Sequence, residues 1–223
     1  MSVQDLTHWS PRELPGRASI VGEHVRVEPI RDARRFAELH AAFAGHDRLW
    51  DYLAYGPFGS PEDFGRFANS TYLTPDPLFH AIVPAASGQA EGVMALMRLD
   101  PANGVAEIGH ICLGPSLQQT RAASEAFLLL FSRVFDELGY RRLEWKCNDR
   151  NAPSKRAAER LGFTFEGLFR QHMVVKGHNR DTAWYSIVDR EWPRVKAGFE
   201  AWLAPENFTA DGRQIRSLAQ ARR

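Results

Sequence analysis

Two residues that could bind a polar or anionic ligand stand at the start of one predicted helix. Asn151 has the side chain of an N-cap, and Ser154 follows in the first turn, where Pro153 is tolerated. Backbone amides at a helix N-terminus attract anions, and these two side chains add polar groups beside them. The spacing therefore predicts a ligand site here without naming the ligand.

The segments around this site indicate how it is held. Leu143 and Trp145 alternate with polar residues, as on a half-buried strand. The helix that follows Asn151 is expected to end at Leu161, because Gly162 easily adopts the left-handed C′ conformation. A strand therefore runs directly into the capped helix.

Periodicity and turn residues predict the remaining elements. We expect strands at 23–28, 78–83, 92–99, 104–113, 163–175 and 182–188, with residues 176–181 forming a hairpin loop. Helices are expected from 32 to 43 and at 61–73, 118–138 and 191–203. The order of meander, helix, strand, helix and hairpin is typical of an α/β fold with a mixed sheet.

Composition limits the class of protein. The chain has 223 residues, enough for one domain with a proper core, and its formal net charge of +1 argues against a dedicated nucleic-acid surface. Cys112 and Cys147 stand in apolar contexts that suggest reduced, packed thiols. No apolar stretch reaches membrane-spanning length. We expect a soluble cytoplasmic protein without a membrane partner or a metal.

The capped helix and its flanks carry a family resemblance. The run N-A-P-S-K-R-A-A-E-R-L-G-F-T-F-E-G begins at Asn151, and Arg170, Gly177, Asp181 and Trp192 follow it. This pattern resembles the GCN5-related N-acetyltransferases (GNAT), especially the branch containing the ribosomal-protein N-terminal acetyltransferases. The resemblance implies a GNAT-like α/β fold, with a mixed, mostly antiparallel central sheet flanked by helices.

The resemblance also suggests how the chain is divided. We expect an N-terminal arm at residues 1–21, an acetyltransferase domain at 22–203 and a weakly ordered C-terminal tail at 204–223. Within the domain, the aromatic-rich segment 46–77 would either shape the acceptor site or bury its own side chains.

The turn at residues 118–123 is the expected site for the pyrophosphate of acetyl-CoA. The family places Q/R-x-x-G-x-G/A there. Gln118 and Ala123 fit, Ala122 lies between, and Arg121 stands where the first glycine is usual. Arg121 could block the approach of the backbone, or it could donate directly to phosphate oxygens, which we favour. The simpler alternative is a solvated arginine beside a turn that binds nothing.

The preceding strand is implied to serve both cofactor and catalysis. The backbone of Ile111, Cys112 and Leu113 would pair with the pantetheine arm, and one amide would stabilise the oxyanion. Glu107, four residues before this segment, takes the position at which some relatives place a general base. His110, expected on the opposite strand face, is the second candidate because its ordinary pKa suits proton transfer. Otherwise Glu107 merely ends a strand and His110 packs in the core.

The capped helix would supply the remaining groups. A tyrosine that many relatives use as an acid is replaced by Ala158, whereas Ser154 matches a serine that some N-terminal acetyltransferases place near the thioester sulfur. Ser154 would then donate a proton or anchor a water. Asn151 would contact the cofactor arm and Arg156 its phosphates, although capping and solvation explain these residues as well.

The expected function is acetyl-CoA-dependent transfer of an acetyl group to a primary amine by direct attack. The acceptor would be a small molecule or a protein N-terminus. A covalent route through Cys112 lacks a local His–Asp partnership. The alternative is a non-catalytic CoA-binding or regulatory domain. A homodimer would use the sheet edges and the terminal helix that this fold leaves free.

Overall fold

An eight-stranded sheet forms the centre of the computed structural model, which describes residues 5–222. Its strands are β1 (Ile20–Val21), β2 (Val25–Pro29), β3 (Leu78–Pro84), β4 (Gly92–Asp100), β5 (Val105–Leu113), β6 (Arg142–Asn148), β7 (Thr164–Val175) and β8 (His178–Val188). The spatial order is β1-β2-β3-β4-β5-β6-β8-β7, and β5 and β6 form the parallel pair among antiparallel neighbours. The predicted meander and the mixed, mostly antiparallel sheet are confirmed.

Helices cover both faces of this sheet. They are α1 (Phe36–Phe43), α2 (Pro61–Thr71), α3 (Arg121–Ser132, continued by a π-helical turn at Arg133–Glu137), α4 (Ala152–Leu161), α5 (Trp192–Leu203) and α6 (Leu218–Ala221). Short 3-10 turns lie at Ala33–Arg35, Asp47–Trp50 and Pro205–Asn207.

Alternating strand residues build a separate core on each face. On the side of α3 and α5, the core includes Ala106 and Ile108 of β5. On the side of α1 and α2, it includes Cys112 of the same strand. We call these the α3/α5 side and the α1/α2 side. Because Ala106 and Ile108 face the α3/α5 side, Glu107 between them faces the α1/α2 side.

Two predicted boundaries were wrong for local reasons. Helix α3 begins at Arg121 rather than 118, because Thr120 is its N-cap and its Oγ1 accepts a hydrogen bond from the amide of Ala123 (3.1 Å). The hairpin loop at 176–181 is shorter than expected. Lys176 and Gly177, with φ of 47° and 76°, make the whole turn, and β8 already starts at His178.

The C-terminal segment is ordered against the domain, so the prediction of a weakly ordered tail was wrong. Leu218 is fully buried in the core of the α3/α5 side. Asn207 is also buried, and its Nδ2 donates to the carbonyls of Trp202 (2.9 Å) and Arg216 (3.1 Å). Arg222 donates to the carbonyl of Glu159 (3.0 Å). These contacts attach the segment to α4 and α5.

Candidate active site

A cleft opens where β5 and β6 separate. The two strands pair at Val105–Glu107 with Arg142–Glu144 and no further, although β5 runs to Leu113 and β6 to Asn148. Beyond that point each strand stays paired to its other neighbour, β4 or β8. The edge of β5 that faces the cleft therefore has no strand partner over Ile111–Leu113, the segment that the family resemblance implies for the pantetheine arm.

A β-bulge turns His110 into this cleft. Gly109 lies opposite Ala95 and Cys112 lies opposite Val93. Between these two pairs β5 therefore has one residue more than β4, which makes a β-bulge. His110 takes the left-handed φ of 50°. The prediction that His110 lies on the strand face opposite Glu107 was wrong, because the bulge changes the alternation and brings its ring to the α1/α2 side.

The ring of His110 is held by aromatic neighbours. Its Nδ1 shares a hydrogen bond of 3.0 Å with the hydroxyl of Tyr55, and the two rings stack with an interplanar angle of 10°. Phe79 packs against it at 5.1 Å between centroids. Burial lowers the pKa of His110, so that the neutral imidazole predominates at neutral pH. Burial raises the pKa of Tyr55, so the phenol keeps its proton.

Glu107 lies in the same cleft but is engaged by two cations. The side chain is almost fully buried, and its Oε2 contacts Arg98 at 2.7 Å and Lys146 at 2.8 Å. Lys146 also contacts Glu144 at 2.7 Å and lies over the ring of Trp184 at 3.9 Å. A proton arriving at Oε2 would disrupt two ion pairs. This environment suits a fixed charge better than a proton acceptor.

The turn before α3 presents backbone amides at its outer surface. Within residues 5–222, the amides of Gln119, Arg121 and Ala122 have no hydrogen-bond acceptor, whereas that of Ala123 is taken by Thr120. Gln119 has a left-handed φ of 63°, which helps to aim successive amides outward. The arrangement fits an anion such as a phosphate.

Two predicted cofactor residues in this turn have protein contacts. Gln118 Nε2 donates to the carbonyl of Leu113 (2.9 Å) and so ties the turn to the end of β5. The guanidinium of Arg121 lies over the ring of Phe208 at 3.7 Å, at the edge of a cavity of about 990 Å³ lined in part by Ala122 and Arg213. Arg121 is thus fixed beside the amides and leaves the cavity open.

The start of α4 lies across the cleft from this turn. Asn151 caps the helix as predicted, its side chain accepting from the amide of Ser154 (3.1 Å). Trp145 Nε1 donates to Ser154 Oγ (3.0 Å), which leaves the hydroxyl hydrogen of Ser154 available to a second acceptor. Arg156 is exposed and Ala158 is buried. The structure thus brings Asn151 and Ser154 to the cleft, with Arg156 on the outer face of the helix.

The thiol of Cys112 is buried on the side of the sheet that also carries His110 and Glu107. The residue is buried in the core of the α1/α2 side, and burial raises the pKa of Cys112 to about 12. The group therefore remains a neutral thiol at physiological pH, which disfavours a covalent acyl-enzyme.

The segment after α1 closes one end of the cleft. Trp50 is buried against Phe43, Tyr55 and Phe58. The aromatic side chains of this segment therefore bury one another, which was one of the two alternatives predicted for it. The other prediction also has support, since Tyr55 reaches His110. Two hydrogen bonds bridge the segment to the far wall: Tyr52 to the carbonyl of Arg150 (3.1 Å) and Lys176 to that of Trp50 (2.9 Å).

Sequence reasoning missed several groups that shape the site. The helix signal for Thr120 was available, because a threonine directly precedes the helical run. Tyr55, Lys146 and Phe208 had no such signal, since each acts through a partner distant in sequence. Among residues 5–222, no group of three or more His, Cys, Asp or Glu side chains could hold a metal ion, and no helix is long and apolar enough to cross a membrane.

Comparison with known proteins agrees with this geometry. Residues 24–164 match the family model described as an acetyltransferase (GNAT) domain. The chain is 32% identical to the uncharacterized N-acetyltransferase p20 of Bacillus licheniformis, over 70% of this chain and 89% of that protein. It is 28% identical to YdaF of Bacillus subtilis, named provisionally as a ribosomal N-acetyltransferase, over 79% of this chain and 97% of that protein.

A solved structure gives the same result over nearly the whole chain. The crystal structure of a GCN5-related N-acetyltransferase from Brucella melitensis is 48% identical, with a TM-score of 0.95, and the match covers 97% of this chain and 99% of that one. The separated parallel strands, the amide-presenting turn and the family match together show that the chain belongs to the GNAT family of N-acetyltransferases.

Proposed function

We infer that this N-acetyltransferase moves an acetyl group from acetyl-CoA directly to a primary amine in the cleft between β5 and β6. The observation that carries the proposal is the cleft itself, with His110 on one strand, Ser154 facing the other, and free amides at its end. Acetyl-CoA supplies an activated acyl group when bound. Residues 22–203 would provide all the groups that act on it.

The residues present fit the cosubstrate. The unpaired edge at Ile111–Leu113 can form hydrogen bonds with an amide-containing arm, which would take the place of a neighbouring strand. The amides of Arg121 and Ala122 at the start of α3 can receive phosphate, with Arg121 adding a charge-assisted contact. Gln118 and Ala123 would support the turn, while Asn151 would fix the opposite wall and Arg156 would reach a phosphate from outside.

His110 is the better supported general base. Its ring is neutral near pH 7 and lies in the cleft, and Tyr55 fixes its orientation. If Nδ1 donates to the Tyr55 hydroxyl, Nε2 is left to take a proton from the acceptor's ammonium group, which then attacks the thioester as the free amine. Glu107, predicted as the first candidate, would act as the fixed negative charge that attracts the ammonium group, because Arg98 and Lys146 already hold it.

Ser154 is the proposed proton donor to the departing thiolate. Because Trp145 donates to Ser154 Oγ, the hydroxyl hydrogen can point elsewhere. Trp145, on β6, thus positions the hydroxyl of Ser154 at the start of α4.

We propose that the acceptor is an α-amine, free or at a protein N-terminus, rather than a nucleic acid. The resemblance of the run that begins at Asn151 to the ribosomal-protein N-terminal acetyltransferases favours an α-amine, and the formal charge of +1 gives no basis for a nucleic-acid surface. A cytoplasmic location is proposed because Cys112 and Cys147 are both free and buried, as in a reducing compartment.

The test is amine-dependent thiol release from acetyl-CoA, measured with a panel of α-amines and ε-amines beside the thermal shift by acetyl-CoA and by ATP. We expect acetyl-CoA to raise the melting temperature, ATP to have little effect, and an α-amine to be the best acceptor. At a hundred times its Kd, a ligand adds about 2.7 kcal/mol of stability. Absence of any shift with acetyl-CoA would contradict the proposed cofactor site.

A homodimer through β7 is also proposed. This strand is at the edge of the sheet and most of its residues are exposed, including Phe165 (52%), Phe169 (50%) and Val174 (80%). Long, apolar edges of this kind are normally covered. Light scattering should give the mass of two chains, and Val174→Lys should reduce it to one. A wild-type monomer at micromolar concentration would exclude this dimer.

A further inference from the structure

Beside the cleft, Arg180 is a cation that has no anionic partner in the part of the chain that the structure describes. It lies on β8 and is half-buried. Within residues 5–222 its side chain forms neither an ion pair nor a hydrogen bond, and its Nε is buried without an acceptor. Burial lowers the pKa of Arg180, because water no longer solvates the charge fully. A guanidinium held in this way gains a great deal from an incoming anion.

Arg180 lies near the open end of the cleft. The last pair between β6 and β8 is Asn148 with Thr182, so Arg180 extends two residues beyond the point where β6 ends. Ala183 and Tyr185 of β8 pack in the core of the α3/α5 side, so by alternation Arg180 lies with Trp184 on the α1/α2 side, the face that carries Glu107. Glu107 is nevertheless bound by Arg98 and Lys146 and not by Arg180.

The charges at this point do not balance. Arg98, Lys146 and Arg180 bring three positive charges, while Glu107 and Glu144 bring two negative ones. The pair of Arg142 and Glu166, which continues the network, adds no net charge. A second unused donor, the buried indole N–H of Trp184, lies on the same strand. The site is therefore short of one anion that can accept hydrogen bonds.

We propose that Arg180 binds a carboxylate that the acceptor carries close to its amine. A guanidinium offers paired N–H groups that match a carboxylate, and the contact would direct the amine toward Glu107 and His110. The phosphates of acetyl-CoA are assigned to the turn at 118–122, which leaves Arg180 for the acceptor. This assignment rests on the proposed function and adds the substrate class, an aminocarboxylate.

The experiment compares acceptors in matched pairs, each a free amino acid or a dipeptide and its C-terminal amide. Acceptor affinity is measured by calorimetry on the protein saturated with CoA, and kcat and KM are measured by thiol release. The carboxylate member should bind about ten- to a hundredfold more tightly. Amidation lowers the basicity of the neighbouring amine, so the fraction of free amine alone would favour the amide, in the opposite direction.

Variants separate recognition from folding. Arg180→Gln should remove the preference by raising KM for the carboxylate member of each pair to that of the amide, and Arg180→Lys should restore part of the preference. Arg190→Gln is the matched control, because Arg190 is exposed in the turn after β8, and it should keep the full preference. Comparing the free amino acids with the dipeptides shows which separation between amine and carboxylate the site accepts.

Two results would overturn the proposal. Equal affinity of both members of every pair for the CoA-saturated protein would show that no carboxylate is recognised. Weaker acetyl-CoA binding by Arg180→Gln, with unchanged acceptor preference, would make Arg180 a cofactor residue. If the carboxylate preference is found but no acetyl group is transferred, Arg180 keeps its role and the proposed catalysis fails, so the two proposals are distinguished.

Discussion

At the residue scale, His110 shows how a local irregularity creates function. A histidine with φ of 50° is uncommon, and such backbone strain persists where the surrounding structure fixes it. Here the bulge in β5 moves the ring to the face that carries Glu107, and Tyr55 and Phe79 hold it there. The base and the fixed charge therefore share one cleft.

Replacing His110 by Gln should reduce kcat by about 10²- to 10⁴-fold while acetyl-CoA affinity is retained. Since burial lowers the pKa of His110 below 6.5, the free base persists into mild acid, and the acid limb of kcat/KM should lie below that pH. The acid limb of the kcat/KM profile should be absent in His110→Gln. Glu107→Gln is the comparison variant, and its profile should still show the acid limb. An unchanged limb in His110→Gln would exclude His110 as the base.

His80 should make the fold sensitive to acid. It is fully buried on β3, neither ring nitrogen has a partner within residues 5–222, and burial lowers the pKa of His80 to about 3. Above pH 6.5 the ring is neutral in both folded and unfolded chains. As pH falls from 6.5 toward 3, the unfolded chain takes up the proton first, so stability decreases by roughly a few kcal/mol.

Urea unfolding between pH 7.5 and 4 measures this effect. His80→Leu should show a smaller decrease of unfolding free energy over that range than the wild type, because the carboxylates common to both proteins contribute equally. Parallel curves for the two proteins would show that His80 is not the group responsible.

At the element scale, helices and strands followed from sequence wherever the signal was local. Asn151, Pro153 and Gly162 mark both ends of α4, and the structure has Ala152–Leu161. The β5 bulge could not be predicted, because it depends on pairing with Val93 and Ala95 of another strand. The cluster around Glu107 was missed for the same reason, since its cations come from β4 and β6.

Thr120 offers a test of the turn that leads into α3. Thr120→Ala should lower the unfolding free energy by about 1 kcal/mol, because the amide of Ala123 loses its acceptor. Thr120→Ser keeps the hydroxyl and should remain close to wild type in chemical denaturation. Acetyl-CoA affinity should fall in Thr120→Ala if the cap also orders the amides of Arg121 and Ala122. Equal stability of the two variants would rule out the cap as a stabilising contact.

At the scale of the whole molecule, the C-terminal segment completes the α3/α5 side. Little in the sequence indicated this role, because the segment has low hydrophobicity. It is held in place by one buried leucine, one buried asparagine and the capping box of Ser217 and Gln220. The segment also brings Phe208 beneath Arg121, and so connects the end of the chain to the turn proposed for phosphate.

Leu218→Ala should cost about 2–5 kcal/mol of unfolding free energy, since it leaves a cavity in the core. Ile215→Ala, at a position 62% exposed in the same segment, is the control and should have little effect on denaturant midpoints. Similar midpoints for both variants would mean that the segment does not contribute to the core in solution.

The most direct test of the account is a rapid-quench measurement of CoA release after mixing the protein with acetyl-CoA, with and without an α-amine acceptor. Direct transfer in the cleft predicts that CoA is released only when the amine is present. The acetyl group should then be found on the acceptor by mass spectrometry. A burst of CoA without amine, with acetyl found on Cys112 or another residue, would contradict direct attack.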